Sequence, residues 1–200
     1  MHLAEQGAVP AVSQIGRQRR RIADSRRPSR SKDTRSITLT KEITRMIRIL
    51  FVCHGNICRS PMAEFVMKDM VQKAGLSHLF EIESAATSTE EIGNPVYPPV
   101  FRLLRARGID CTGKTARQIR KGDYAAYDLL IGMDDANIRN MKRAFGGDPD
   151  HKIHMLLAYG RQCRSVADPW YTRDFEATWS DVCEGCHGML ENLKAQGKLS

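Results

Sequence analysis

From residue 46 onward, apolar runs of strand length alternate with segments of helical periodicity, and this alternation most narrows the folds open to the chain. The strand-like runs cover residues 47–52, 80–86, 127–133 and 152–157. The first helical pattern opens at Pro61, whose fixed φ suits a first helical position. It carries Ala63, Met67, Met70, Val71 and Ala74 on one face and stops at Gly75. Further helical patterns span 100–107, 134–145 and 174–193. Strand then helix, repeated, predicts βαβ crossovers and a mostly parallel sheet covered on both faces. In such sheets ligands lie beyond the carboxyl ends of the strands, which places the expected site in the turn after Val52.

That turn reads Cys53-His54-Gly55-Asn56-Ile57-Cys58-Arg59-Ser60-Pro61. A Cys followed six places later by Arg is weak evidence by itself, and the chain contains its own control: Cys111 and Arg117 have the same spacing. The second copy follows Gly108-Ile109-Asp110 rather than a strand, and Gln118 comes after its Arg, so nothing aims its backbone at a common centre. The first copy lies between a strand and a helix. N–H groups at a helix start are unpaired and the dipole there is positive, a natural seat for a phosphate dianion. Gly55 and Asn56 tolerate left-handed backbone angles and are expected to curl the intervening amides inward into an anion nest. The same field favours the thiolate of Cys53, and Arg59 offers a planar fork for two phosphate oxygens. The bland alternative, that Cys53 is only a small residue ending a buried strand, explains none of its neighbours.

Transfer of a phosphoryl group to a thiolate calls for an acid to protonate the departing oxygen. Asp168 is the candidate, because Ala167-Asp168-Pro169-Trp170-Tyr171 lies in the loop after the last strand-like run, at the rim shared with Cys53. Pro169 stiffens that loop, and Trp170 and Tyr171 offer walls for a flat aromatic substrate.

Charge is distributed unevenly. Residues 1–45 carry 11 Lys and Arg against four Asp and Glu, whereas residues 46–200 carry 20 against 19. Within residues 16–35, Arg and Ser dominate with almost nothing apolar to bury, so this extension is expected to be disordered. It fits an Arg-rich targeting segment, a basic arm for nucleic acid or acidic lipid, or a non-native extension of a protein that begins at Met46. The position of Met46 directly before the first strand favours the third. A field confined to the tail does not make nucleic acid a partner of residues 46–200. No apolar run approaches the roughly 20 residues that span a bilayer. Six cysteines (Cys53, Cys58, Cys111, Cys163, Cys183 and Cys186) spread through a chain without an apolar signal segment fit free thiols in a reducing, cytoplasmic setting.

The chain from Met46 onward resembles the low-molecular-weight protein tyrosine phosphatases. The strongest matches are residues 52–64 (VCHGNICRSPMAE), 83–95 (ESAATSTEEIGNP), 116–119 (ARQI) and 168–171 (DPWY). The resemblance implies an α/β fold, a flavodoxin-like three-layer sandwich with a four-stranded parallel sheet and helices on both faces. It implies that Cys53 is the nucleophile, that Arg59 and the amides of His54, Gly55, Asn56, Ile57 and Cys58 hold phosphate, and that Ser60 supports the thiolate. Asp168 is then the general acid and base, and Asn56 with Ser84 resembles a buried polar pair that holds the loop in shape. Cys58 matches a second cysteine that forms a reversible disulfide with the nucleophile. The implied substrate is a phosphotyrosine protein, with no metal or cofactor, acted on by a monomer or weak dimer. Glu90 stands where many members carry an aromatic residue, and Lys114 replaces a histidine common in eukaryotic members, so both are expected to alter the mouth of the pocket. Ile57 resembles the phosphotyrosine members, since threonine there marks an arginine-phosphate branch.

Two other readings compete. Thioredoxin-linked arsenate reductases resemble the same loop but need two further redox cysteines in mid-chain, and between Ser84 and Ala126 there is only Cys111. Cys183-Glu184-Gly185-Cys186-His187 satisfies the C-x-x-C-H pattern of haem attachment or half a zinc site, yet it falls inside a helical pattern where Cys183, Cys186 and Leu190 share a core-facing side.

Overall fold

The computed structural model describes residues 46–199, and the basic extension expected over residues 1–45 lies outside them. Strand β1 (Ile47–Cys53) leads into helix α1 (Arg59–Lys73), and β2 (Phe80–Ala86) is followed by α2 (Pro98–Ala106). Next come α3 (Asp123–Ala126), β3 (Leu129–Gly132), α4 (Asp135–Phe145), β4 (Ile153–Met155), α5 (Pro169–Thr172) and α6 (Phe175–Ala195). All strand pairings are parallel, in the order β2-β1-β3-β4. The flavodoxin-like α/β architecture is therefore present.

Burial on both faces explains why β1 is almost uniformly apolar. Ile49 and Phe51 enter one core, with Met62, Val66 and Met67 of α1 and Val182, Cys186 and Met189 of α6. Leu50 and Val52 enter the other, with Leu130, Tyr127 and Met141. From β1 the chain crosses to β2 on one side and later returns to β3 on the other. The carboxyl end of β1 therefore lies at the point where the strand order reverses, the crevice where open α/β sheets hold ligands.

The local differences from the sequence reading have physical causes. Helix α1 begins at Arg59, so Pro61 is its third residue rather than its first. The leading N–H groups of a helix lack intrahelical partners, so proline anywhere in the first turn costs no bond. Strand β3 is shorter than the apolar run 127–133 because the Asn137 side chain accepts the Met133 N–H (3.1 Å) and ends the ladder. The run 152–157 is divided: after Met155 the chain coils into a 3-10 turn, Leu156–Ala158, whose leucines are buried. Asp134 and Asp174 cap α4 and α6 from outside, accepting the Asn137 and Ala177 N–H groups. The short helices α3 and α5 were absent from the sequence reading. Among the described residues, no helix is long and apolar enough to cross a membrane.

Candidate active site

The loop between β1 and α1 wraps around the Cys53 sulfur. Cys53 is the last residue of β1, in register with Ala86 of β2. The Asn56 N–H donates to Sγ (3.3 Å), and the Ser60 hydroxyl lies 3.0 Å from it. Asn56 has a φ of 58°, the left-handed conformation expected of it. Gly55 does not share that conformation, so the curl rests on Asn56 alone. Gly55 instead leaves room for the neighbouring loop: a Cβ there would sit 3.1 Å from Glu91 Cγ in the loop after β2. That second loop is tied to the first by Thr87 N–H to Cys53 O (2.8 Å) and Ser88 N–H to His54 O (3.0 Å).

A buried polar network supports the loop from below. Asn56 Nδ2 donates to Ser60 Oγ (2.9 Å) and Ser84 Oγ (2.8 Å), while its Oδ1 accepts the Arg117 N–H (3.2 Å). Ser84 in turn donates to Glu64 Oε2 (2.5 Å). Glu64 is only 3% exposed and binds Lys114 Nζ at 2.8 Å and Lys68 Nζ at 2.6 Å. Lys114 also donates to the Ser84 carbonyl (3.1 Å), so it lies beneath the loop. This corrects the expectation that Lys114 shapes the mouth of the pocket. An amine on a long stem can reach a carboxylate buried under the loop, where two oxygen acceptors hold it.

Arg59 is 4% exposed, and its fork is shared by two carboxylates from different loops. Nη1 meets Asp134 Oδ2 and Nη2 meets Asp168 Oδ2, both at 2.7 Å. Burial works against its charge, but Cys53, Asp168 and Asp134 more than compensate and hold the guanidinium even more firmly protonated than usual. Asp134 was not singled out from the sequence as a site residue, although a carboxylate just beyond β3 is at the same rim as Cys53. Asp168 precedes α5 and accepts the Trp170 N–H (3.0 Å) through its other oxygen.

Above the sulfur opens a cleft of about 200 Å³. Its rim includes Glu90, Glu91, Trp170 and Tyr171, while Cys53 and Arg59 lie at its base. Trp170 is braced edge-on by Tyr97 (5.7 Å between ring centres), and the Tyr97 N–H donates to Ile57 O (2.9 Å), linking wall and loop. The His54 ring turns outward to Glu90 (3.0 Å), so only its main chain belongs to the loop. Cys58 is buried, and burial, with Cys53 and Asp168 adding to it, pushes its thiol up to about 12. Cys58 is thus held as a neutral thiol.

The control motif forms nothing comparable. Cys111 is buried in a turn, and the Arg117 guanidinium is taken up by Asp123 (2.9 Å), Glu83 (3.1 Å) and Tyr127 (3.2 Å).

The profile described as Low molecular weight phosphotyrosine protein phosphatase matches residues 48–199. The chain belongs to this family. The Low molecular weight protein-tyrosine-phosphatase YfkJ of Bacillus subtilis is 36% identical over 156 residues, covering 77% of this chain and 100% of the relative. A low molecular weight phosphotyrosine protein phosphatase of Gallus gallus is 39% identical over 151 residues, covering 72% of this chain and 93% of the relative. The crystal structure of YfkJ superposes with a TM-score of 0.73 at 37% identity, over 76% of this chain and 96% of that one. The relatives are thus named as tyrosine phosphatases, a class of phosphoric monoester hydrolase, and Cys53 occupies the position the family fold expects of its cysteine.

Within this phosphatase fold the arsenate-reductase reading has no second mid-chain cysteine to draw on. Cys183 and Cys186 lie inside α6. Cys186 is fully buried against the Ala63 carbonyl of α1, and burial pushes its thiol well up.

Proposed function

We propose that this phosphatase hydrolyses phosphotyrosine and small aryl phosphates through a cysteinyl-phosphate intermediate. The observation that supports this most directly is the Cys53 sulfur, held between the Asn56 amide and the Ser60 hydroxyl at the foot of a cleft whose base also presents Arg59. A phosphate dianion entering the loop takes over Nη2 of Arg59 from Asp168, while Asp134 keeps Nη1 and fixes the plane of the fork. Sγ attacks phosphorus as the bond to the aryl oxygen breaks, and Asp168 passes its proton to that oxygen. Water then attacks the thiophosphate, Asp168 takes its proton, and inorganic phosphate leaves with Cys53 restored as an anion. The charge of this loose transition state is spread over equatorial oxygens, so fixed amides and Arg59 carry most of the acceleration. Trp170 and Tyr171 flank the aromatic ring. In oxidised enzyme, a sulfenic acid on Cys53 condenses with the Cys58 thiol to a disulfide, releasing water and protecting the nucleophile from further oxidation.

The test is hydrolysis of p-nitrophenyl phosphate by wild type, Cys53→Ser and Asp168→Asn, with and without chelator. Cys53→Ser should abolish turnover, Asp168→Asn should slow it by roughly 10²–10⁴-fold, and the chelator should have no effect. Turnover in the serine variant at the wild-type rate would refute the mechanism. In a parallel arm, peroxide inactivation should be reversed by thiol in wild type but not in Cys58→Ser. Equal recovery in both would remove the redox role.

A further inference from the structure

The residue before Asp168 is gripped from outside the cleft. Ala167 gives both of its main-chain groups to α6: its N–H donates to Asp181 Oδ2 (2.9 Å), and its carbonyl accepts the Thr178 hydroxyl (2.9 Å). One residue earlier, the Val166 N–H donates to the Met133 carbonyl beyond β3 (2.8 Å). Thr178 is fully buried and Asp181 is 7% exposed. The Asp181 carboxylate also receives both arms of Arg164, at 2.8 and 2.6 Å.

Thr178, Asp181 and Glu184 follow one another at helical spacing and form a ledge along α6. Glu184 accepts the Arg161 N–H (2.6 Å), and at Gly188 a Cβ would overlap the Tyr159 carbonyl, so the segment entering this loop also lies tight against α6. Residues 161–165 are exposed. A stretch with so little to bury is held in one place by such tethers rather than by packing. Burial opposes the charge on Asp181, but the Arg164 and Ala167 donors outweigh it and hold the carboxyl below the usual carboxylate range.

We infer that Asp181 is a positioning residue for the general acid: its carboxylate, locked by Arg164, clamps Ala167 and so sets where Asp168 stands over the cleft. The inference rests on Asp168 acting as proposed above. A general acid works only within hydrogen-bond reach of the departing oxygen, and a displacement of about 1 Å can cost about 10²-fold. Loss of the clamp should therefore be felt in proportion to how much the leaving group needs a proton.

The experiment compares kcat/KM for p-nitrophenyl phosphate and phenyl phosphate in wild type, Asp181→Ala, Arg164→Gln, Asp168→Asn and the Asp168→Asn/Asp181→Ala double variant. Asp181→Ala should lose about tenfold or more on phenyl phosphate but under about threefold on the nitrophenyl ester, and add less than about twofold to Asp168→Asn. Arg164→Gln alters an exposed side chain and keeps the fold. It should show the same leaving-group signature at smaller amplitude even if Asp181→Ala fails to fold. Equal losses on both esters in either variant, or a full Asp181→Ala effect in the Asp168→Asn background, would overturn the inference while leaving the acid assignment intact. If Asp168→Asn itself showed no added sensitivity to the leaving group, the acid assignment would fall, and the positioning role with it.

Discussion

Replacing Lys114 by methionine would strip a cation from a carboxylate that has almost no access to water. Glu64 is 3% exposed and its Oε2 takes both Lys114 Nζ (2.8 Å) and the Ser84 hydroxyl (2.5 Å). Breaking a buried pair from one side typically costs about 3–5 kcal/mol, because the remaining charge stays desolvated. Lys68 still reaches the other oxygen at 2.6 Å from a half-exposed position, which moderates the loss. The expected cost is about 2–4 kcal/mol, read as a lower urea midpoint at unchanged slope and a fall in Tm of roughly 5–15 °C. Glutamine at Glu64 keeps an acceptor for Ser84 without the charge. The Glu64→Gln/Lys114→Met double variant should therefore recover to within about 1 kcal/mol of wild type, a coupling of at least about 2 kcal/mol once the cost of Glu64→Gln alone is included. Urea denaturation of the four proteins in the cycle measures it. Strict additivity, or a Lys114→Met cost below about 0.5 kcal/mol, would show that the pair does not carry the loop's foundation.

Two further outcomes follow from the rim and from the far edge of the sheet. Glu90 is largely exposed on the cleft's lip beside Glu91, so phosphopeptides with Lys or Arg next to the phosphotyrosine should have lower KM than those with Asp or Glu. Glu90→Gln should narrow that gap by about two- to fivefold at low salt, the scale of a screened surface pair, and an unchanged ratio would remove Glu90 from substrate choice. Burial holds His154 below the ordinary imidazole value, against Asp148 and a main-chain hydrogen bond with His151 and with some help from the charges of His151 and Lys142. Well above about pH 6.5 the ring is neutral whether the chain is folded or not; as pH falls towards and below it the unfolded chain takes the proton first, so stability falls as pH drops through that window. His154→Gln should flatten the stability profile between about pH 7 and 5, and an undiminished slope would assign it to other groups.

Much of the site was legible in the sequence because its parts are consecutive. A strand-ending cysteine, a left-handed Asn56, Arg59 and a proline in the next helical turn are readable in nine residues, and Asp168 was found from its place after the last strand-like run. What escaped was what folding brings together from afar. Glu64 and Lys68 stand at i and i+4, a spacing that reads as a solvated surface pair, and only the packing of α1 on β2 reveals that the glutamate is buried. Lys114 was placed at the rim by the family histidine it replaces, and nothing near it in sequence points to the buried carboxylate it reaches. Asp134 was readable as a helix cap, which it is, but not as the second partner of Arg59. The fourth strand-like run was over-extended because Leu156 and Leu157 are apolar in either conformation, and apolarity alone does not separate a strand from a buried turn.

Arg117 began as a chance echo of the nucleophile loop, and its backbone ends up supporting the real one. Its amide holds Asn56 while its side chain is spoken for by Asp123, Glu83 and Tyr127. One residue thus joins the short helix α3, at the opposite layer of the sandwich, to the only left-handed position of the cradle. Asp123, which lines no part of the cleft, is therefore two hydrogen-bonded steps from the residue that curls the chain around the sulfur, so the foundation of the cradle extends to a helix with no share in the chemistry.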